Sequence, residues 1–264
     1  MNSSPAKNQK NSVSKIAYGD IFRIGEHLLA CGDATDADLV SRLIGKRQVN
    51  AIVSDPPYGV SYTQAKAGIA KIKVTKDILN DDISSEGEYA AFTEKWLRVA
   101  VPHLARKNSV YIFNADPMLF ALREGMQKAG VRFSQLLIWI KSNAVIGRKD
   151  YLPQHELIAF GWHGTHEFRK AKDKSLLFSP KPSRSALHPT QKPIPLLRRL
   201  ILNSTHIGDT VYDCFAGSGS TGMAAEQTKR KTILIERDEE YCCTIIDRFE
   251  KLFGLTAEHI HHET

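Results

Sequence analysis

The chain has 264 residues, 42% hydrophobic and 25% charged, and its 36 Lys and Arg against 29 Asp and Glu give a formal net charge of +7. That length suits one large α/β domain or two small ones, and the ordinary composition excludes a disordered, collagen-like or coiled-coil chain. Cys31, Cys214, Cys242 and Cys243 form no C-x-x-C pair and imply neither a disulfide framework nor a zinc site, and no apolar run is long enough to span a bilayer.

The basic excess points to a polyanionic partner. The unpaired thiols fit a reducing, cytoplasmic setting, and no signal peptide is expected. Residues 1–15 are polar and aperiodic and read as a disordered tail. Residues 20–24 and 27–31 read as short strands around the turn Gly25-Glu26, and 34–44 as a helix with Leu39, Val40, Leu43 and Ile44 on one face. The apolar run 49–53 reads as a buried strand that stops at Ser54 and is followed by Asp55-Pro56-Pro57-Tyr58-Gly59. Neither proline has an N–H, so no ladder continues and the carbonyls point outward as free acceptors. A carboxylate, free carbonyls and the flat ring of Tyr58 suit an exocyclic amino group on a planar heterocycle. A plain strand-to-loop turn is the alternative.

Residues 61–80 carry Lys66, Lys71, Lys73 and Lys76 with few large apolar residues, and a loop of that length is functional or mobile. A helix is predicted over about 85–104, a strand over 110–113, a helix over 117–128 closed by Gly130, and strands over 133–140 and 157–160. Between and beyond these last strands, Lys141, Arg148, Lys149, Arg169, Lys170, Lys172, Lys174, Lys181 and Arg184 outnumber the acids. Tyr151, Trp162, His163, His166 and Phe168 are interleaved with them. Such a mixture without a clean period suits contact with phosphates and bases; an ordinary solvated loop is the alternative. A helix over 193–203 starts on proline, a strand over 210–213 ends at Asp213, and a glycine-rich turn runs from Cys214 through Gly222. A helix over 223–229, a strand over 231–235 ending at Glu236, and a helix over 239–253 follow. Residues 257–264 read as a solvated, histidine-rich tail. The expectation is a single domain over 16–256 with DNA-contacting insertions at 61–82 and 141–187.

Strand, Asp213, glycine turn, helix, strand and Glu236 together form a nucleotide-binding βαβ half. Glycines allow close backbone approach, and an acid about twenty residues on suits ribose hydroxyls. The turn is not G-x-G-x-x-G, so a pyrophosphate is not required. Phe215-Ala216-Gly217-Ser218-Gly219-Ser220-Thr221 fits a cofactor bearing a carboxylate and an amine instead, which points to S-adenosyl-L-methionine rather than NAD.

Asp55-Pro56-Pro57-Tyr58, His188-Pro189-Thr190-Gln191-Lys192-Pro193 and Phe215-Ala216-Gly217-Ser218-Gly219 together resemble the amino-methylating DNA methyltransferases. Their order matches the permuted β group: catalytic motif first, target-recognition segment in the middle, cofactor loop last. Gly32-Asp33, Trp139-Ile140-Lys141 and His155-Glu156 are similar to flanking patterns in phage- and plasmid-type members. The resemblance implies a Rossmann-like α/β fold with a seven-stranded mixed sheet, one strand antiparallel, in circularly permuted order. It implies Asp55, Pro56, Pro57 and Tyr58 as catalytic residues, with Asp55 and the Pro56 carbonyl holding the amine and Tyr58 stacking on the base. It implies a cofactor site of Asp33, Asp55, Thr190, Gln191, Lys192, Asp213, Phe215, Ala216, Gly217, Ser218, Gly219, Thr221 and Glu236. Asp33 would lie near the adenine of the cofactor, Glu236 on its ribose, and Thr190, Gln191 and Lys192 near its methionine end. For His155 and Glu156 the main reading is a buried, hydrogen-bonded pair that shapes the site.

The implied reaction takes the target base out of the duplex. Asp55 and a backbone carbonyl accept its two N–H groups, and the freed nitrogen lone pair attacks the sulfonium methyl with no metal involved. An acid at the first motif position accompanies N6 of adenine more often than N4 of cytosine in this family. The alternatives are N4-cytosine methylation, an RNA or protein-glutamine methyltransferase, and an inactive DNA-binding subunit. The partners implied are double-stranded DNA, a second copy in a homodimer and a restriction endonuclease, with no membrane.

Overall fold

The computed structural model describes residues 15–57, 85–144, 150–169, 172–180 and 191–260. Tyr58, Arg148, Lys149, Lys170 and Thr190, the lysine-rich stretch 61–82 and residues 1–14 fall outside the described residues. The strands are β1 (Ile21–Ile24), β2 (His27–Cys31), β3 (Val49–Ser54), β4 (Leu104–Asn114) and β5 (Arg132–Ile140). They continue as β6 (His155–Trp162), β7 (Leu176–Phe178), β8 (Thr210–Asp213), β9 (Lys231–Glu236) and β10 (Ala257–His259). The helices are α1 (Ala37–Ile44), α2 (Glu86–Ala100), α3 (Leu119–Lys128), α4 (Ile194–Ser204), α5 (Ser220–Gln227) and α6 (Glu239–Phe253).

Among the described residues there is one sheet, ordered β10-β1-β2-β9-β8-β3-β4-β6-β5-β7. Strands β2, β9, β8, β3 and β4 are mutually parallel. Strand β6 is antiparallel to both β4 and β5, so β5 rejoins the common direction. The seven strands from β2 to β5 are thus the expected mixed sheet with one antiparallel member. The sheet as a whole has ten strands rather than seven, because short strands extend both edges. At one edge β1 folds back on β2 through Gly25, which sits at φ 56°. At the other, β7 lies parallel to β5, and the Trp139 indole N–H donates to the Ser179 carbonyl at 2.8 Å.

Strand β10 corrects the expected tail. Gly254, at φ 68°, caps α6 and turns the chain back. Residues Ala257–His259 then pair with β1, the Ile260 N–H donates to the Ile21 carbonyl at 2.8 Å, and His259 Nε2 meets Asp20 Oδ1 at 3.0 Å. Unpaired donors and acceptors on the β1 edge supply the driving force, which apolar periodicity does not report.

Successive strand residues face opposite sides of the sheet, and the core divides accordingly. Ile52 and Ile233 join the cluster under α1, α2 and α3, which contains Leu39, Tyr89, Trp96 and Leu122. Val53 packs with Leu196, Leu197 and Leu200 of α4, and Leu234 with Ile245 and Phe249 of α6. Polar caps set where the helices begin. Asp36 accepts the Leu39 N–H at 3.0 Å, so α1 starts three residues later than the sequence suggests. Ser85 and Glu88 form a reciprocal capping box on α2. No helix among the described residues is long and apolar enough to cross a membrane.

The topology positions the site. From β3 the chain crosses through α2 to β4 on one side, and from β8 it crosses through α5 to β9 on the other. Strands β3 and β8 are neighbours, so the sheet reverses winding between them. Ligands of doubly wound sheets bind at the carboxyl ends of the strands at such a point. Here those two ends carry Asp55 and the glycine turn.

Candidate active site

Ser54 and Asp213 bind the two strand ends together. The Ser54 hydroxyl donates to Asp213 Oδ1 at 2.9 Å and accepts the Cys214 N–H at 3.1 Å, and the Phe215 N–H reaches the same Asp213 oxygen at 3.2 Å. Burial pushes the Asp213 carboxyl up to about 6, with hydrogen bonds from Thr221 and Ser54 opposing it. Asp213 thus acts as a buried staple that sets the entry to the turn.

The turn itself is held by backbone. The Ala216 N–H donates to the Ile235 carbonyl at 2.9 Å and the Gly219 N–H to the Ala216 carbonyl at 2.8 Å. Gly217 and Gly219 sit at φ 52° and 77°, a region that glycine enters without steric cost. A Cβ at Gly219 would stand 2.9 Å from Ile245 Cγ1, so α6 packs against bare backbone there. Arg248 of α6 reaches the Ser218 carbonyl, and its Nη1 lies 3.3 Å from Ser218 Oγ. Ala216, Ser218 and Thr221 are buried, and the Phe215 ring packs on Phe92 and Trp96 of α2. What this turn offers a ligand is therefore mainly backbone.

Glu236 ends β9 beside the turn. Its Oε2 accepts the Gly217 N–H at 2.7 Å and its Oε1 the Asp238 N–H at 2.8 Å. Burial pushes this carboxyl up to about 7, against those backbone donors. A carboxylate has about four lone-pair positions, so both oxygens keep capacity for ribose hydroxyls. Asp33 lies at the same edge, since Cys31 is paired with Glu236 and the Gly32 N–H donates to the Glu236 carbonyl at 2.9 Å. Its Oδ1 accepts the N–H and hydroxyl of Thr35, each at 2.8 Å.

At the end of β3, Asp55 meets an alternating row of charges. Lys192 Nζ donates to Asp55 Oδ2 at 2.5 Å and lies 3.0 Å from Glu156 Oε2, while Lys141 Nζ lies 2.8 Å from Glu156 Oε1. The Lys192 ammonium also stands 5.0 Å over the Phe113 ring. Burial raises the Asp55 pKa above the ordinary carboxylate value, with Lys192 opposing. Burial acts the same way on Glu156, but Lys192 and Lys141 outweigh it and its pKa is lowered. Asp55 Oδ1 is buried and has no hydrogen-bond partner among the described residues. An orphaned carboxylate oxygen of this kind is an acceptor awaiting a donor.

Two expectations change here. Lys141, expected on the DNA-contacting surface, is buried with its side chain only 7% exposed and its ammonium committed to Glu156. An ammonium taken from water needs such a partner and cannot also serve an outside phosphate. His155 and Glu156 do not pair with each other, because consecutive strand residues point to opposite faces; His155 is exposed and lies 3.1 Å from Asp116. Lys192, expected next to a carboxylate at the methionine end of the cofactor, does stand beside two, Asp55 and Glu156.

Arg169, Lys172 and Lys174 are exposed at the far end of α4. Arg169 Nη1 donates to the Thr205 carbonyl at 3.1 Å, and Asp173 between the lysines accepts from Arg199 at 2.6 and 2.9 Å and from Asn203 at 2.7 Å. Helix α4 starts beside Lys192 and has 11 residues, a rise of about 16 Å, and Arg169 sits at its opposite end. A cavity of about 340 Å³ opens beside them, walled by Tyr111, Phe160, Trp162 and Phe168.

A doubly wound α/β protein with a glycine turn and an acid-proline-proline strand end at its switch point belongs to the nucleotide-cofactor enzymes. Comparison with known proteins narrows this. The DNA methylase family of N6/N4 methyltransferases matches residues 49–247, more than half of the chain, and the chain belongs to that family. It is 27% identical over 213 residues to the Type II methyltransferase M2.DpnII of Streptococcus pneumoniae, covering 73% of this chain and 79% of that one. It is 26% identical over 218 residues to the Type II methyltransferase M2.LlaDCHI of Lactococcus lactis subsp. cremoris, covering 75% and 81%. Among solved structures it resembles the M1.HpyAVI-SAM complex, with TM-score 0.61, 22% identity and coverage of 83% and 98%. It also resembles the PvuII cytosine-N4-specific DNA methyltransferase, with TM-score 0.61, 16% identity and coverage of 84% and 92%.

Proposed function

We propose that this chain transfers a methyl group from S-adenosyl-L-methionine to the exocyclic N6 of adenine in double-stranded DNA. The observation that carries the reading is Asp55 Oδ1, a buried acceptor without a partner among the described residues, at the switch point beside the glycine turn. The residues there fit the cofactor. Gly217 and Gly219 give backbone access, and Glu236 and Asp33 offer acceptors along one edge. Bound there, the cofactor supplies a methyl group on a sulfonium.

The chain's own part is to bind and orient the amine. Asp55 Oδ1 and the Pro56 carbonyl accept its two N–H groups, so the nitrogen lone pair is released from the ring and aimed at the methyl. Tyr58 stacks on the extruded base. Preorganised acceptors of this kind need no rearrangement during reaction. Adenine is preferred on the acid at the first motif position. Asp55 and the glycine turn both lie at the carboxyl edge of the sheet, which supports that edge as the DNA side. Arg169, Lys172 and Lys174 would meet phosphates further along the duplex. The Type II names of its relatives support a role beside a restriction endonuclease.

Incubation of purified protein with cofactor and unmethylated genomic DNA, followed by nucleoside mass spectrometry, tests this. N6-methyladenine is expected. N4-methylcytosine would replace adenine as the target. Cofactor binding with no methylated nucleoside would refute methyl transfer and favour a DNA-binding subunit. Asp55→Ala should abolish transfer while cofactor affinity stays within about tenfold.

A further inference from the structure

The row Asp55–Lys192–Glu156–Lys141 gives Glu156 a task of its own. We propose that Glu156 is a positioning residue for methyl transfer: it anchors Lys192 so that the ammonium engages Asp55 through Oδ2 alone and leaves Oδ1 for the target amine. Lys141 fixes Glu156 from the other side. This rests on the methyl-transfer reading above.

The geometry divides the labour oxygen by oxygen. Glu156 gives Oε1 to Lys141 at 2.8 Å and faces Lys192 with Oε2 at 3.0 Å, the latter an ion pair without an aligned hydrogen bond. Lys192 and Lys141 are only 8% and 7% exposed in their side chains, and Glu156 20%. Among the described residues, Asp55 and Glu156 thus hold the Lys192 ammonium from two sides. Freed from Glu156, the ammonium could settle between both oxygens of Asp55 and occupy the acceptor that the amine requires.

The four groups also balance electrically, two carboxylates against two ammoniums, which lessens the cost of taking each from water. Removing Glu156 or Lys141 leaves a net charge beside Asp55. Among the described residues, the charged groups facing Asp55 are Lys192 ahead of α4, Glu156 on β6, Lys141 after β5 and Asp213 on β8. Of these, Glu156 disfavours ionised Asp55 and Lys141 favours it. Glu156 and Lys141 should therefore act on Asp55 with opposite signs, which a simple packing role would not produce.

Two near-isosteric variants test this. Glu156→Gln should slow single-turnover methyl transfer about 10²-fold through misplaced groups, leave cofactor affinity unchanged, and move the acid limb of the rate–pH profile to lower pH. Lys141→Gln should move that limb to higher pH. The carboxyl 13C titration of Asp55 in free wild-type and variant protein should shift in the same two directions. A Glu156→Gln rate that stays slow at its own pH optimum, with opposite shifts in the two variants, sustains the proposal; a rate that matches wild type once the limb shift is allowed for, or limbs and titrations that stay put or move the same way in both variants, overturn it and leave Glu156 a structural counter-ion. A wild-type protein that methylates no DNA would sink the functional reading, and the free-protein titration would still decide whether Glu156 and Lys141 govern Asp55.

Discussion

Replacing Gly219 by alanine should damage the turn twice over, and the two costs can be separated. Gly219 sits at φ 77°, where an L side chain costs about 1–2 kcal/mol. The new Cβ would also stand 2.9 Å from Ile245 Cγ1 and 3.2 Å from Cγ2. Ile245 is fully buried within α6, so it cannot swing away and the turn or the helix must shift. Forcing a methyl into such packing costs about 1–3 kcal/mol more. Gly254 supplies the control: it sits at φ 68° with nothing within 4 Å of its would-be Cβ. Gly254→Ala should lose only the conformational part, about 1–2 kcal/mol. Urea denaturation of both variants should place Gly219→Ala lower by the clash alone, and calorimetric titration should find its cofactor affinity reduced while Gly254→Ala binds as wild type. Equal losses of stability and equal cofactor affinities in the two variants would refute the claim that α6 packs on bare backbone to shape the cofactor turn.

Because burial pushes Glu236 up to about 7, cofactor affinity should weaken by about tenfold per pH unit below that value, where the proposed ribose acceptor is protonated. Glu236→Gln should bind more weakly and without that pH dependence; calorimetry at several pH values reads both. Its raised folded-state pKa also means that the stability it contributes is full below the reference value of 4.5 and is lost as pH rises through about 7, a trend that denaturation of the unliganded protein should show and Glu236→Gln should lack. Asp173→Ala should cost about 2–3 kcal/mol in denaturant titrations, since it strands Arg199 and Asn203. The Asp173 carboxyl is held well below the carboxylate range by Arg199, so this stabilisation is present above 3.8 and fades as pH falls below it. Lys172→Gln with Lys174→Gln should lower the salt slope of DNA binding by about 0.9 per lost phosphate contact; an unchanged slope would remove this end of α4 from the DNA surface.

What was legible in the sequence divides along a physical line. Asp55-Pro56-Pro57 and the glycine turn are local patterns whose chemistry follows from adjacent residues, and both emerge at strand ends as read. The helix over Glu239–Phe253 and the strand over Thr210–Asp213 agree with their apolar periodicity. The contacts that bring the motifs together have no local signature. Ser54 and Asp213 are 159 residues apart, and nothing in either segment names the other. Strand β10 is invisible for a related reason: Ala257, Glu258 and His259 have no alternation, and the edge of β1 decides their conformation.

Lys141 shows the same limit in electrostatics. Charge in a basic, aromatic-rich stretch reads as exposure, because an isolated ammonium is too costly to bury. That inference holds only for a lysine without a partner, and the partner here comes from a neighbouring strand. Lys141 follows β5 at Ile140, Glu156 is the second residue of β6, and Ile140 is paired with His155. The register of that antiparallel pair therefore brings the lysine to the acid. Lys192 reaches the same acid from the head of α4, and Asp55 from the end of β3. A single pair of opposite charges can be guessed from helical spacing, but four charges drawn from four elements are fixed only by strand order. The proposed catalytic acid, Asp55, could be found by reading along the chain; the charged groups beside it become visible only across it.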